Sequence, residues 1–301
     1  MPLLNPDILT AIGRAGFGPR RPVEGPVAGQ HRSPLHGLSP EFADFRSYAP
    51  GDDPRNLDWR AFARSDRLYI RRYEEESNLR SYLIVDSSRS MAYAAPASRR
   101  GAARPSKYYT AATIGVSLAA VSLGQRDAVG LMTVDREVDG KLSPSGATSQ
   151  LPEIDRRLEA ITPDGTTDLV AALRPQIDQI ARRSLVVVIS DWLTELDDLP
   201  QLIGQLRHRG CELLAIQVLD DDEIDLPFES STLFVDIEGS EELFAEPWAF
   251  RAAYRDAMSA YCDQLRDEIK SAGYDFWQIR CGDPLPAALA SRLHARAAQR
   301  V

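Results

Sequence analysis

Two short runs constrain this chain most: Ser81-Tyr82-Leu83-Ile84-Val85-Asp86 and Ser184-Leu185-Val186-Val187-Val188-Ile189-Ser190-Asp191. Neither alternates apolar with polar residues, as a strand wetted on one face must. A continuous apolar run of this length belongs to a strand covered on both faces, the position of a central strand in a parallel sheet. AVGLMTVD (128–135) and CELLAIQVLD (211–220) read the same way. Between them lie helical patterns. KYYTAATIGVSLAAVSLG (107–124) is apolar nearly all round, and Leu151, Ile154, Leu158 and Ile161 recur at helical spacing, as do Leu169, Leu173, Ile177 and Ile180. Pro200 to Arg209 reads as a short helix. Strands alternating with helices specify an α/β fold, a doubly wound and mostly parallel sheet covered by helices on two sides.

The remaining segments divide the chain further. Residues 1–35 hold a short helix, Pro6 to Gly16, and then GPRRPVEGPVAGQHRSP, too rich in turn formers to predict regular structure. Residues 36–80 form an N-terminal extension, dense in aromatic residues and opposite charges, with a strand-like run from Arg67 to Tyr73. Residues 81–301 form the main domain. Its last third adds REVDGKL (136–142) as the return arm of a hairpin and TLFVDIEGSEELFAEP as a hairpin-like pair around Glu238-Gly239-Ser240. A long helix from Trp248 to Ala272, a strand at 274–279 and a helix from Leu285 complete it.

Composition narrows the function. The net charge is −9, and between Asp191 and Glu246 sixteen acidic residues face only Arg207 and Arg209, which reads first as a solvated acidic face. A phosphate backbone needs a concentrated basic surface, so nucleic acid is not an expected partner. The three cysteines, Cys211, Cys262 and Cys281, are widely spaced with no CxxC pair, which argues against structural zinc and a disulfide framework and fits a cytoplasmic protein. The most apolar stretch, Tyr108 to Gly124, is too short and too hydroxyl-rich for a membrane span.

In an open parallel sheet, ligands sit at the carboxyl ends of the strands where strand order reverses. Three loops expected there carry oxygen side chains: Asp86-Ser87-Ser88-Arg89-Ser90, Ser190-Asp191, and Asp164-Gly165-Thr166-Thr167-Asp168. Residues 86, 88 and 90 can turn one carboxylate and two hydroxyls toward one point. Hard oxygens in that mixture suit Mg²⁺, with Mn²⁺ as an alternative. Hydroxyls neutralise little of the ion's charge, so it stays electrophilic enough to take a carboxylate from another molecule.

These residues resemble the metal-ion-dependent adhesion site of von Willebrand factor A domains. That site has D-x-S-x-S after the first strand, a threonine in a Gly-Thr loop and an aspartate after the fourth strand. The resemblance implies Asp86, Ser88, Ser90, Thr167 and Asp191 as metal ligands, with Thr166 as second choice for the threonine. Arg89 stands where that family usually has glycine. The preceding segment, with Tyr48-Ala49-Pro50-Gly51-Asp52-Asp53, Arg55 and Asp58-Trp59, is similar to a bacterial family of uncharacterised proteins with an A-like domain. Its members are commonly encoded beside MoxR-type AAA+ ATPases. The resemblance implies an adaptor that recruits a client protein through an acidic residue, with such an ATPase as partner. Lys107 has a counterpart there, with no role derivable from its position.

Enzyme patterns fit poorly. A haloacid dehalogenase-type phosphatase needs D-x-D, and the second acid is Ser88 here. There is no G-x-S-x-G elbow for a serine hydrolase and no GxxxxGK[ST] loop for ATP. The expectation is a metal-dependent binding protein and not an enzyme. A metal-free interaction scaffold is the alternative, and a metal-assisted phosphohydrolase is a third reading against which the missing second acid argues.

Overall fold

The computed structural model describes residues 2–13, 17–18, 31–36, 42–48, 57–58, 62, 68–77, 79–95, 104–135, 138–166, 168–237, 239 and 241–298. The main domain is a six-stranded sheet. Its strands are β4 (Arg80–Asp86), β5 (Ala128–Val134), β6 (Val138–Ser145), β7 (Leu185–Ser190), β8 (Glu212–Leu219) and β11 (Asp275–Arg280), in the order β11-β8-β7-β4-β5-β6. All neighbours pair parallel except β5 and β6, which form an antiparallel hairpin. The chain leaves β4 toward β5 and later returns to β4's other side as β7. The β4–β7 boundary is therefore the point where strand order reverses, and a crevice is expected at its carboxyl end.

Each central strand feeds two cores. Leu83 and Val85 of β4, with Leu185, Val187 and Ile189 of β7, enter one; Tyr82, Ile84, Val186 and Val188 enter the other. Successive side chains of a strand point to opposite faces. A run apolar at every position is thus satisfied only when both faces are covered. On the first face lies α2 (Lys107–Gly124), buried along most of its length, with α3 (Gln150–Ala160) beside it. The second face is covered by α4 (Leu169–Leu173), α5 (Leu199–His208) and α7 (Pro247–Ser271), which contribute Leu169, Leu202, Leu265 and Ile269. A fully buried Leu, Ile or Val is worth roughly 1.5–3 kcal/mol each, so these two clusters hold the sheet in place.

The N-terminal helix α1 (Pro6–Ile12) belongs to this body. Ile8 and Ile12 are buried in the first core with Leu289 and Leu293 of α8 (Leu285–Ala298). A separate three-stranded antiparallel sheet, in the order β1-β3-β2, is formed by β1 (His31–His36), β2 (Phe42–Ser47) and β3 (Tyr69–Ser77). Strand β1 corrects the expectation that the end of the Pro/Gly/Arg-rich stretch lacks regular structure: His31 and Arg32 pair with Ser77 and Glu76 of β3, partners that local turn propensity could not foresee. Residues 49–56, Trp59 and Arg60 of the extension motif lie outside the described residues.

One helix differs from its sequence pattern. The apolar spacing from Leu169 to Ile180 predicts one continuous helix, but α4 ends at Leu173 and residues Arg174–Gln179 form a 3₁₀ turn. Pro175 has no N–H to donate and its ring crowds the preceding turn, which explains the break. The expected hairpin in the last third is present as β9 (Thr232–Val235) paired with β10 (Glu242–Ala245). It follows a single-turn helix, α6 (Asp221–Asp225).

Candidate functional site

At the carboxyl end of β4 the backbone turns through Ser87 and Ser88 into a 3₁₀ turn, Arg89–Ala92. The Asp86 side chain is buried, and Oδ1 accepts the Ser88 N–H at 2.9 Å while Oδ2 accepts the Ser190 hydroxyl at 2.6 Å. The second bond spans the strand-order reversal and ties the ends of β4 and β7 together. Ser88 and Ser90 hydroxyls lie 3.1 Å apart. Ser87 faces elsewhere, donating its hydroxyl to the Val134 carbonyl of β5.

The third loop is fastened to the first by backbone bonds. Asp164 N–H donates to Ser87 O at 3.1 Å, and Arg89 N–H to Gly165 O at 3.0 Å. Gly165 adopts φ +86°, a conformation that L side chains resist, and this lets its carbonyl reach Arg89. Thr166 is exposed and Thr167 lies outside the described residues. Asp168 caps α4, accepting the Ala171 N–H at 3.1 Å. The Arg89 guanidinium is engaged with Asp164, their side chains 48 and 70% exposed, so this arginine turns outward.

Asp191 follows β7 through a strained turn. Trp192 has φ +56°, rare for a bulky residue, and is fully buried. Its N–H donates to the Ser190 hydroxyl at 2.9 Å, its indole N–H to Ile216 O at 3.2 Å, and its carbonyl accepts the Tyr261 hydroxyl. These contacts hold a conformation that presents Asp191. One Asp191 oxygen accepts the Leu193 N–H at 3.1 Å and the other accepts Lys107 Nζ at 2.8 Å.

The role of Lys107 is what sequence reasoning could not supply. This lysine opens α2, where the helix dipole disfavours a cation, and it is buried. Its ammonium bridges Asp191 and Glu223, the latter at 2.5 Å. Burial alone would lower its pKa, yet the two carboxylates outweigh burial and hold it above the ordinary lysine value. A lysine at the start of an apolar helix, in a chain with only three lysines, was the available signal. Its partner Glu223 sits in the acidic run 220–223, and here the solvated-face reading fails. Asp220 and Asp222 are buried, and Arg104 binds Asp220, Asp221 and Asp222 at 2.7–2.8 Å while Tyr93 donates to Asp222. The run is an internal ion cluster that fixes α6 beside the site.

The electrostatics leave a deficit of positive charge at Asp86. Its carboxyl is pushed up to about 6, first by burial and then by the charge of Asp191, against the pull of the Ser190 and Ser88 hydrogen bonds. Lys107 neutralises one of the three carboxylates Asp86, Asp191 and Glu223. A divalent cation at Asp86, Ser88 and Ser90 would relieve the remainder, so the donor set fits one. Among the described residues no group of three or more His, Cys, Asp or Glu side chains could hold a metal ion. The hydroxyl-rich arrangement is a different donor set. Next to Asp191, a groove of about 750 Å³ between residues 193–197 and α7 is lined by Leu193, Leu196, Tyr254, Met258 and Tyr261. Among the described residues no helix is long and apolar enough to cross a membrane.

Comparison with known proteins places the chain. It is 24% identical over 283 residues to the uncharacterised protein Rv1480 of Mycobacterium tuberculosis, covering 92% of this chain and 86% of that one. Among solved structures it is similar to the conserved hypothetical protein BatB from Bacteroides thetaiotaomicron, at 14% identity and a TM-score of 0.46 over 74% of this chain and 100% of that one. It is also similar to the SpRpn10 VWA domain, at 11% identity and a TM-score of 0.37 over 70% of this chain and 94% of that one. These likenesses concern the fold, which rests here on the strand order itself. The family described as protein of unknown function DUF58 matches residues 44–263, well over half of the 301. With that match the chain, an α/β protein built on a mostly parallel six-stranded sheet, belongs to the DUF58 family.

Proposed function

We propose that this protein is a divalent-cation-dependent protein-binding module and not an enzyme. The observation that carries the reading is the buried Asp86 carboxylate. It is tied to the end of β7 through Ser190, stands beside the Ser88–Ser90 hydroxyl pair, and is under-compensated by positive charge. Asp86, Ser88, Ser90, Thr167 and Asp191 would hold Mg²⁺ or Mn²⁺, which when bound would supply an electrophilic centre for a carboxylate of a partner protein. The chain's own groups do the rest. Lys107 and Glu223 fix Asp191, the Trp192 turn aims it, and the backbone bonds from Ser87 and Arg89 hold the Gly165 loop against the Asp86 turn. The groove beside Asp191 offers apolar contact area for whatever brings that carboxylate.

The resemblance of the N-terminal motif points to a MoxR-type AAA+ ATPase as partner, with a client protein offering the acid, in the cytoplasm. Purified MoxR-type ATPase should be retained by the immobilised chain in Mg²⁺ and released by EDTA, and Asp86→Ala should abolish retention. Equal retention with and without chelator, by wild type and variant alike, would favour a second reading, a metal-free interaction scaffold. One observation favours that second reading: the Lys107 ammonium already supplies Asp191 with a cation.

A further inference from the structure

Seven of the large apolar side chains exposed among the described residues fall in one stretch: Leu233, Val235, Ile237, Leu243, Phe244, Trp248 and Phe250. Five of them belong to the β9–β10 ribbon and its turn. The register pairs Leu233 with Phe244 and Val235 with Glu242, so these four side chains share one face. On that face Leu233, Val235 and Phe244 are 51, 62 and 70% exposed. On the opposite face Phe234 is anchored, meeting Phe228 edge to face with ring centroids 5.2 Å apart, while its register partner Leu243 is exposed.

An exposed apolar cluster of this kind costs solubility and marks an interaction surface when it is held in a fixed shape. The ribbon is so held. Arg251 of α7 donates to Leu226 O at 2.9 Å and Phe228 O at 2.7 Å, and Tyr254 donates to Glu223 O at 2.7 Å. These bonds clamp the segment that leads from α6 into β9. The Asp236 N–H closes the far end on Glu241 O at 2.9 Å.

Charge identifies the occupant. Residues 229–246 contain six acidic side chains and no Lys, Arg or His. A second copy of the ribbon would bring six like charges against six, and an anionic membrane surface would be repelled equally. We propose that the Leu233–Val235–Phe244 face docks a basic amphipathic segment of a partner protein, its apolar side chains on the ribbon and its lysines or arginines against Glu242 and the neighbouring acids. This surface needs no metal ion and stands or falls separately from the cation site.

The test uses the full chain in EDTA and two fluorescein-labelled helical peptides with the same leucine pattern, one with lysine and one with glutamate at the polar positions, followed by fluorescence anisotropy. The lysine peptide should bind and the glutamate peptide should not. Leu233→Ser and Phe244→Ser should each weaken binding by about tenfold or more, the size expected of a central apolar contact. Glu242→Lys should weaken it too, whereas Glu159→Lys, the same charge change on remote α3, should leave it unaltered. Circular dichroism melts of the variants would confirm that each remains folded, as exposed positions allow. Absence of lysine-peptide binding, equal binding of both peptides, or equal losses from Glu242→Lys and Glu159→Lys without an effect of the apolar variants would overturn the proposal. So would sedimentation that shows a dimer dissolved by Phe244→Ser, or binding to phosphatidylcholine vesicles abolished by it, since the face would then serve a second copy or a lipid surface.

Discussion

Asp86→Asn in the metal-free protein separates a binding site from a structural turn. The folded-state carboxyl titrates at about 6, against the ordinary 3.8. A raised acid pKa means that folding opposes ionisation. The penalty is absent below about pH 4, grows between about 4 and 6 and is complete above that. At 1.36 kcal/mol per unit, ionised Asp86 costs the fold about 3 kcal/mol at pH 7.5. Asparagine removes that cost and keeps an oxygen for the Ser88 N–H, while the Ser190 hydroxyl loses its charged acceptor, a loss of about 1 kcal/mol. The variant should therefore be more stable than wild type by about 2 kcal/mol at pH 7.5 in EDTA, or about 4–8 °C in Tm. The gap should shrink toward pH 4. Saturating Mg²⁺ at about 100 times Kd should raise wild type by about 2.7 kcal/mol and close the gap, leaving the variant unmoved. Differential scanning calorimetry in EDTA and in Mg²⁺ reads all of this. A variant less stable than wild type at pH 7.5 in EDTA, or one that gains from Mg²⁺ as wild type does, would refute the reasoning.

Lys107→Met should destabilise by about 3–5 kcal/mol, because Asp191 and Glu223 are left buried without their cation. Adding Glu223→Gln should recover part of that loss in a double-mutant cycle by chemical denaturation, and additive losses would show that the bridge is not the cause. Arg89→Ala should cost under about 1 kcal/mol, since the Asp164 pair is exposed; a large loss in the same assay would mean that Arg89 supports the turn itself. All three thiols are buried, and burial pushes Cys281 up to about 12. Native protein at pH 8 should thus resist iodoacetamide until urea unfolds it, and rapid modification of Cys281 without denaturant would contradict its packing.

The sheet was legible because β4, β7 and β8 are apolar at consecutive positions, a pattern only doubly covered strands require. The Asp86, Ser88 and Ser90 cluster could be read because alternate residues at a strand end act locally. What escaped depended on distant partners. Strand β1 needs β3, some forty residues on, to satisfy its backbone. The acidic run 220–223 looked solvated because Arg104, Tyr93 and Lys107, which neutralise or bond it, lie more than a hundred residues away. Trp192 carried no signal at all, since a positive φ at tryptophan is imposed by burial of its indole and not by local preference. Pro175 was the opposite case, a local signal overridden in the reading by the apolar spacing around it.

The most direct measurement is Mn²⁺ binding followed by electron paramagnetic resonance. A cation site at the β4–β7 boundary requires one Mn²⁺ immobilised per chain, displaced by Mg²⁺ and lost in Asp86→Ala. A full-amplitude free Mn²⁺ signal in the presence of wild-type protein, or immobilised Mn²⁺ that persists in Asp86→Ala, would contradict it.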